Sequence, residues 1–167
     1  TADGLYIRRI VEEAWKEQNG EIGRKAVFHL AGDENYVYAA TDCEIYRIDK
    51  KGSEIKKVYS LGDRSVDIGE VTIDDEAILQ SQIKDMVISD DLKRLYVAAP
   101  QKVLESDDQG KTFHNLSSIG LPVNLVRKLF VHDKDLYAGT EKGMFGLRNG
   151  RWESDVVGLT TNFTNDI

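Results

Sequence analysis

Short apolar stretches alternate with polar turns along most of this chain. They are rich in valine, isoleucine, leucine and tyrosine, and they end at clusters of glycine, aspartate, asparagine or serine. Such stretches are typical of β-strands joined by tight turns. The pattern predicts an all-β protein with strands at residues 26–30, 36–40, 44–48, 54–59, 83–88, 94–99, 102–105, 112–116, 126–131, 135–140, 143–147 and 151–154.

One short motif recurs on the second strand of each predicted group of four. Tyr38, Tyr96 and Tyr137 are each followed by small residues, a polar turn and another apolar strand. The chain begins with residues 1–6, which match residues 140–145. The equivalent positions are Thr1, Thr41, Ala99 and Thr140. They are separated by 40, 58 and 41 residues. Two of these spacings match a four-stranded blade of a β-propeller, which takes roughly 40–50 residues.

A second mark supports this repeat. An aromatic residue begins the fourth strand that we predict in three of the copies: Trp15, Phe113 and Trp152. Because strand and aromatic positions recur together, the repeat does not depend on a single motif.

The first twenty residues fit two different secondary structures. Their apolar side chains recur at helical spacing, which predicts an amphipathic helix; these are Ile7, Ile10, Val11, Ala14 and Trp15. The repeat instead places Leu5, Tyr6 and Trp15 on the last two strands of a blade. We favour strands because one register accounts for all three of these residues, and the helix is the alternative.

An eight-residue stretch that begins at Ser106 holds the most specific turn motif, Ser-Asp-Asp-Gln-Gly-Lys-Thr-Phe. Asp108 is placed to accept hydrogen bonds from N–H groups a few residues later, and Gly110 supplies a positive φ that other residues resist. The hydroxyl of Thr112 adds a second tie, and Phe113 gives the returning strand an apolar anchor. We therefore expect a tight hairpin that satisfies its own polar groups.

This motif resembles the hairpin of BNR, or Asp-box, repeat β-propellers, which carry it between the third and fourth strands of successive blades. A degenerate copy occurs in the preceding group, where Asp49 and Gly52 remain but the spacing is one residue too long. In the following group the turn contains Asn149 and Gly150, a pair suited to a two-residue hairpin. The resemblance implies a β-propeller fragment of about three full four-stranded antiparallel blades, with partial blades at both ends.

The repeat divides the chain into six segments of one partial propeller. Residues 1–20 end one blade, residues 62–80 are an acidic insertion between blades, and residues 158–167 begin another blade. The complete blades are predicted at residues 21–61, 81–120, which contains the Asp-box stretch, and 121–157.

The insertion carries a run of carboxylates, Asp67, Glu70, Asp74, Asp75 and Glu76. One interpretation is a rim loop that binds a cation or a basic partner, since loops of irregular length often carry specificity in repeat proteins. The other is a solvated hairpin whose charges face water. We favour the hairpin because these carboxylates lack the spacing of an EF-hand calcium loop.

The net charge of −7 and an isoelectric point near 5.0 argue against a polyanionic partner. Nucleic acids and anionic bilayers are bound through clustered lysine and arginine, so neither is expected here. No apolar run approaches the ~20 residues of a membrane helix, and we expect no membrane insertion. Cys43 is the single cysteine, which excludes an intramolecular disulfide and a thiol-rich metal site.

No catalytic, cofactor or metal site emerges from the motifs. The sequence has no glycine-rich phosphate loop and no nucleophile elbow. Its histidines, His29, His114 and His132, lack the spacing of metal ligands. The resemblance includes sialidases, which use an arginine triad and a tyrosine nucleophile, but their Phe/Tyr-Arg-Ile-Pro signature is missing here. We therefore expect that this chain is not an enzyme.

Two functions remain open. The first is a non-catalytic interaction or scaffold module, a fragment of a larger propeller protein that binds a protein or glycan partner. The second is a fragment of a carbohydrate-active enzyme whose catalytic residues lie outside this chain. We favour the first, since no acid–base pair is visible. The resemblance implies a periplasmic or secreted location, and uncovered edge strands predict self-association.

Overall fold

The chain forms two compact units, residues 1–63 and residues 64–167. A computed structural model describes residues 4–8, 13–17, 20–51, 54–62, 82–89, 93–116, 118–122 and 126–155. Every regular element in these ranges is a β-strand, so the predicted all-β class is confirmed.

The first unit contains a small sheet and a four-stranded sheet, both antiparallel. In the small sheet, β1 (Tyr6–Ile7) pairs with β2 (Lys16–Glu17). The larger sheet holds four strands in chain order, β3 (His29–Gly32), β4 (Tyr36–Ala40), β5 (Glu44–Asp49) and β6 (Ile55–Ser60). The two sheets share one apolar core, whose buried members are Leu5, Ile22, Ala39, Tyr46 and Ile48.

The second unit contains two sheets, each with four antiparallel strands in chain order. The first sheet consists of β7 (Asp85–Ser89), β8 (Arg94–Ala99), β9 (Lys102–Ser106) and β10 (His114–Asn115). The second sheet consists of β11 (Val126–His132), β12 (Asp135–Thr140), β13 (Gly143–Arg148) and β14 (Arg151–Ser154). Each range predicted to be a complete blade therefore contains one four-stranded sheet.

The three four-stranded sheets share one register. In each sheet the tyrosine of the repeat pairs with the residue nine positions later on the third strand. The pairs are Tyr38 with Arg47, Tyr96 with Glu105 and Tyr137 with Gly146. The predicted equivalence of the three tyrosines is therefore confirmed.

In the second unit, the β7–β10 sheet packs directly against the β11–β14 sheet. Tyr96 and Val103 from the first sheet share a buried cluster with Leu129 and Trp152 from the second. A polar bond crosses the same interface, because the carboxylate of Asp85 accepts a hydrogen bond from the Leu129 N–H at 2.8 Å. Burial of apolar side chains stabilises the pair of sheets, and the Asp85 bond satisfies a buried N–H.

In two of the four-stranded sheets, the described segment that leads into the sheet lies against the sheet's fourth strand. In the second unit, Gly120 packs on the backbone of Trp152, whose N–H donates to the Ile119 carbonyl at 3.0 Å. In the first unit, Gly20 packs on the side chain of Ile55. Ile55 and Trp152 are equivalent, because they pair with the equivalent residues Ile48 and Leu147. The contact is thus part of the repeat.

The strand interpretation of the N-terminal residues is confirmed where the structure describes them. Tyr6 pairs with Glu17 and Ile7 with Lys16, whereas Ile10 and Val11 lie outside the described residues. Trp15 directly precedes β2. Its ring is 63% exposed and lies under the Arg8 guanidinium, 5.3 Å from the ring centroid.

Four predicted strands begin one to three residues later than expected, at His29, Ile55, Asp85 and His114. The strand predicted at 112–116 begins at His114, because the N–H and hydroxyl of Thr112 are both bonded to Asp108 in the preceding turn. The strand predicted at 26–30 begins at His29, although the Phe28 N–H already donates to the Ala40 carbonyl at 2.9 Å. At Thr112, polar turn contacts thus take a residue that the apolar pattern assigns to a strand.

Candidate functional site

The Asp108 turn is closed by four hydrogen bonds among its own residues. One Asp108 carboxylate oxygen accepts from the Ser106 hydroxyl and the Thr112 N–H, each at 2.9 Å. The other oxygen accepts from the Thr112 hydroxyl at 2.7 Å. The buried Ser106 hydroxyl accepts in turn from the Gly110 N–H at 2.9 Å. This geometry has the form that the sequence predicts for the hairpin.

These bonds give the Asp108 turn a structural role. The Thr112 hydroxyl, followed by the Thr112 N–H, stabilises the ionised carboxylate and lowers the pKa of Asp108 to about 2. Gly110 has a φ of 79°, and Gln109 also lies in the left-handed region at 65°. Phe113 is half-buried at the start of the returning chain. The side-chain oxygens of Ser106, Asp108 and Thr112 therefore serve the turn itself.

The equivalent turns of the other two four-stranded sheets are formed by different contacts. In the first unit, the Asp49 carboxylate accepts from the Lys51 N–H at 2.7 Å. In the β11–β14 sheet, Asn149 and Gly150 have φ values of 51° and 74° and connect a pair formed by Arg148 and Arg151. Positive φ at both central residues is the hairpin geometry that this pair of residues predicts.

The five acidic residues that the sequence predicts as a rim loop lie outside the described residues: Asp67, Glu70, Asp74, Asp75 and Glu76. Their role therefore stays a prediction, as do the boundaries at residues 62–80 and 158–167.

A carboxylate on the first residue of β5 is shared by three donors. Glu44 forms ion pairs with Lys25 and with Lys57, the latter at 3.1 Å, and it accepts the Tyr46 hydroxyl at 2.6 Å. Burial opposes ionisation of Glu44, but the hydrogen bonds from these donors outweigh it and lower its pKa to about 2. The hydrogen bond to Glu44 likewise raises the pKa of Lys25 above its ordinary value. Each charged side chain of this cluster therefore has a partner of opposite charge within the cluster.

Tyr46 in this cluster is buried, and burial followed by the hydrogen bond to the Glu44 carboxylate raises the pKa of its hydroxyl. A tyrosine nucleophile needs an adjacent base and a hydroxyl that a substrate can reach. The burial of Tyr46 therefore does not favour a nucleophilic role.

The second unit presents a different arrangement between its two sheets. Lys84 directly precedes β7, and its ammonium group is half-buried. Among the described residues, that ammonium has neither an ion pair nor a hydrogen bond. Burial and then the positive charge of Arg127 lower the pKa of Lys84. Arg127 itself is paired with Glu141, whose carboxylate accepts the Arg127 Nε–H at 3.0 Å.

Among the described residues, Lys84 and Arg127 thus carry two positive charges, and Glu141, which pairs with Arg127 alone, carries the one carboxylate of the group. Lys84 lies at the end of its sheet where the second strand turns into the third, because its N–H donates to the Ala98 carbonyl at 2.8 Å. Arg127 lies at the same end of the next sheet, beside the pair of Val126 with Thr140. The surplus charge favours an anion at this point.

Sequence reasoning missed both charged clusters. Glu44 and Tyr46 alternate along one strand, so their shared face follows from the strand period. Lys57 is placed by the register of β6, which becomes known only with the structure. No local signal joins Lys84 to Arg127, because their proximity depends on how two sheets pack.

Two observations concern chemistry that the described residues lack. They contain no group of three or more histidine, cysteine, aspartate or glutamate side chains that could hold a metal ion. In the same ranges, no helix is long and apolar enough to cross a membrane.

No protein-family model and no curated protein matches the chain. Solved structures do match. The extracellular domain assigned to a one-component system of B. thetaiotaomicron is similar at 18% identity and a TM-score of 0.64, over 98% of this chain and 21% of that one. A chain of a Nidogen/Laminin complex is similar at 8% identity and a TM-score of 0.61, over 91% of this chain and 54% of that one. PorZ, a surface component of the type-IX secretion system of Porphyromonas gingivalis, is similar at 15% identity and a TM-score of 0.54, over 77% and 16%.

The chain is a β-propeller-like fragment. At these identities the similarity establishes the fold alone. The chain spans about a fifth of the bacterial extracellular domain and about half of the Nidogen/Laminin chain. What those whole proteins do is therefore not established for this chain.

Proposed function

We propose that this chain is a non-catalytic interaction module from a larger, Asp-box type β-propeller protein that works outside the cytoplasm. The Asp108 hairpin between a third and a fourth strand supports the Asp-box type. The extracellular domain among the structural neighbours supports the location. The module binds a protein or glycan partner, and no nucleic acid or membrane.

The observation that carries a binding role is the ammonium of Lys84 beside Arg127, which no carboxylate in the described part of the chain compensates. Keeping a half-buried cation without a counter-charge costs free energy, and a ligand anion recovers that cost. The partner therefore carries a carboxylate or sulfate group that contacts Lys84. A long side chain at the end of a sheet is accessible to such a group from solvent.

Asp108 and Glu44 are not suited to act as a general acid. Both have a pKa of about 2 and are ionised at neutral pH, whereas a general acid needs a pKa raised towards the working pH. Asp108 is held by hydrogen bonds within its own turn, and Glu44 by hydrogen bonds from Tyr46 and two lysines.

Lys84→Gln is expected to weaken binding to acidic ligands by about tenfold or more, because a charge-assisted hydrogen bond contributes about 1.5–3 kcal/mol. The measurement is binding of the purified chain to an array of carboxylated, sulfated and neutral glycans and of acidic and neutral peptides. Lys111→Gln is the matched control, since Lys111 is exposed in the Asp108 turn, and it should bind like the wild type.

If the wild type binds acidic and neutral probes equally well, Lys84 does not contact an anionic group of the partner. Release of free sugar from any glycan on the array would overturn the non-catalytic proposal and favour a glycoside hydrolase.

A further inference from the structure

Lys84 and Arg127 occupy the same position of the repeat in two adjacent sheets. Lys84 lies two residues before Met86, and Arg127 lies two residues before Leu129. Met86 and Leu129 are equivalent, because each pairs with the residue that follows the tyrosine of the repeat. Burial and the positive charge of Arg127 lower the pKa of Lys84, so the two cations are close enough to repel each other. The repeat and the packing of its sheets therefore build this pair of charges.

Glu141 engages only part of the Arg127 guanidinium. Its Oε1 atom accepts from the Nε–H of Arg127 at 3.0 Å and also from the Nη2 group. A guanidinium carries five N–H donors, and among the residues that the structure describes the Nη1 group of Arg127 has no acceptor. Both side chains of this ion pair are 37% exposed. Arg127 can therefore donate to a ligand from solvent while Glu141 stays bound to it.

Two further charged side chains adjoin these groups along the chain. Asp85, which follows Lys84, is buried, and its carboxylate accepts a backbone N–H of β11 between the sheets. A ligand that comes from solvent therefore does not contact it. Lys142, which follows Glu141, is exposed, and in the described part of the chain its ammonium pairs with none of the three groups. The charges that a ligand contacts are those of the two cations and Glu141, which sum to one positive charge.

We propose that Glu141, at the anion site proposed for Lys84 on which this inference rests, selects ligand groups with one negative charge over groups with two. A carboxylate or a sulfate ester carries one charge and neutralises the site. A phosphate monoester carries nearly two charges at neutral pH. Its second charge stays uncompensated beside the Glu141 carboxylate, where like charges repel. Glu141 is thus a specificity residue, because it disfavours the wrong ligand rather than binding the right one.

Phenyl sulfate and phenyl phosphate test this selectivity, because they have nearly the same shape and differ in charge at about pH 8. Nuclear magnetic resonance titration of the purified chain measures both affinities from the backbone amide signals of Lys84 and Arg127. The wild type should bind phenyl sulfate more tightly than phenyl phosphate. Glu141→Gln should bind phenyl phosphate about threefold or more tightly than the wild type does, because removing one charge from a partly exposed site changes affinity by about that factor.

Glu105→Gln is the matched control for Glu141→Gln. Glu105 is also paired with an arginine of the second unit, Arg94 at 2.9 Å, but it lies at the other end of its sheet. The substitution changes the net charge by the same amount and should keep the wild-type ratio of the two affinities. Glu141→Asp restores the charge and should restore the preference for phenyl sulfate, which a purely structural role of the side chain does not predict. Unchanged circular dichroism would show that the variants fold.

Lys84→Gln distinguishes failure of this inference from failure of the proposed anion site. It should weaken the binding of both esters. If it does so, but the wild type binds phenyl phosphate as tightly as phenyl sulfate or Glu141→Gln leaves the ratio unchanged, the anion site stands and the selectivity of Glu141 is overturned. If the wild type binds neither ester, or Lys84→Gln binds both as tightly as the wild type, the anion site is wrong and the role of Glu141 is wrong with it.

Discussion

Gly120→Ala should lower the free energy of unfolding by about 3 kcal/mol or more. Gly120 has a φ of 88°, and a Cβ placed there would fall well inside van der Waals contact with the carbonyl oxygen of Trp152. A left-handed φ costs a non-glycine residue about 1–3 kcal/mol, and an overlap with a packed neighbour adds about 1–3 kcal/mol. The overlapping atom belongs to the backbone of β14, so no side-chain rotation relieves it.

Gly150→Ala is the matched control for Gly120→Ala. Gly150 also has a positive φ, of 74°, but nothing lies within 4 Å of a Cβ built on it. Gly150→Ala should therefore lower the free energy of unfolding by only about 1 kcal/mol, which is the cost of a left-handed φ in a non-glycine residue. Urea unfolding followed by circular dichroism compares the two variants. Equal losses would mean that the linker does not approach the fourth strand as closely as described.

Trp152→Ala should destabilise the second unit by about 3–5 kcal/mol, because removing a large buried aromatic side chain loses its transfer free energy and leaves a cavity. Trp152 is 2% exposed and packs in one cluster with Leu121, Leu129 and Leu136. Its main chain also holds the incoming linker through the bond to Ile119. Urea unfolding of the variant and the wild type measures the difference.

Trp15→Ala tests whether the loss of stability depends on the burial of the tryptophan or on its position in the repeat. The repeat places Trp15 and Trp152 at equivalent positions, but Trp15 is 63% exposed and stacks under Arg8. An exposed cation–π pair contributes about 0.5–1 kcal/mol, so this variant should lose less than about 1 kcal/mol. A loss from Trp15→Ala as large as that from Trp152→Ala would contradict the burial described for the first unit.

Most of the secondary structure follows from the sequence. The second strand of every four-stranded sheet has the predicted bounds, Tyr36–Ala40, Arg94–Ala99 and Asp135–Thr140. These strands combine β-branched or aromatic residues with a polar turn on each side, so local preference and burial agree. Two of the three first strands begin later than predicted, at His29 and Asp85, and the third begins at Val126 as predicted.

The contacts between sheets could not be read from the sequence in the same way. Asp85 bonds to Leu129, which lies 44 residues later, and neither residue belongs to a motif. The proximity of Lys84 and Arg127 likewise depends on how the two sheets of the second unit pack. Apolar periodicity fixes which face of a strand is buried, but it does not say which other strand covers that face. The exposed Leu30 and the buried Leu129 have the same local pattern.

The repeating register of the three four-stranded sheets is the central claim about the fold of this protein. The most direct measurement is a set of cross-strand nuclear Overhauser effects between the tyrosine of each repeat and the third strand. We predict contacts between Tyr38 and Arg47, Tyr96 and Glu105, and Tyr137 and Gly146. A shift of one residue in any of the three sheets would contradict the repeat, because it would turn that tyrosine's strand face away from its partner.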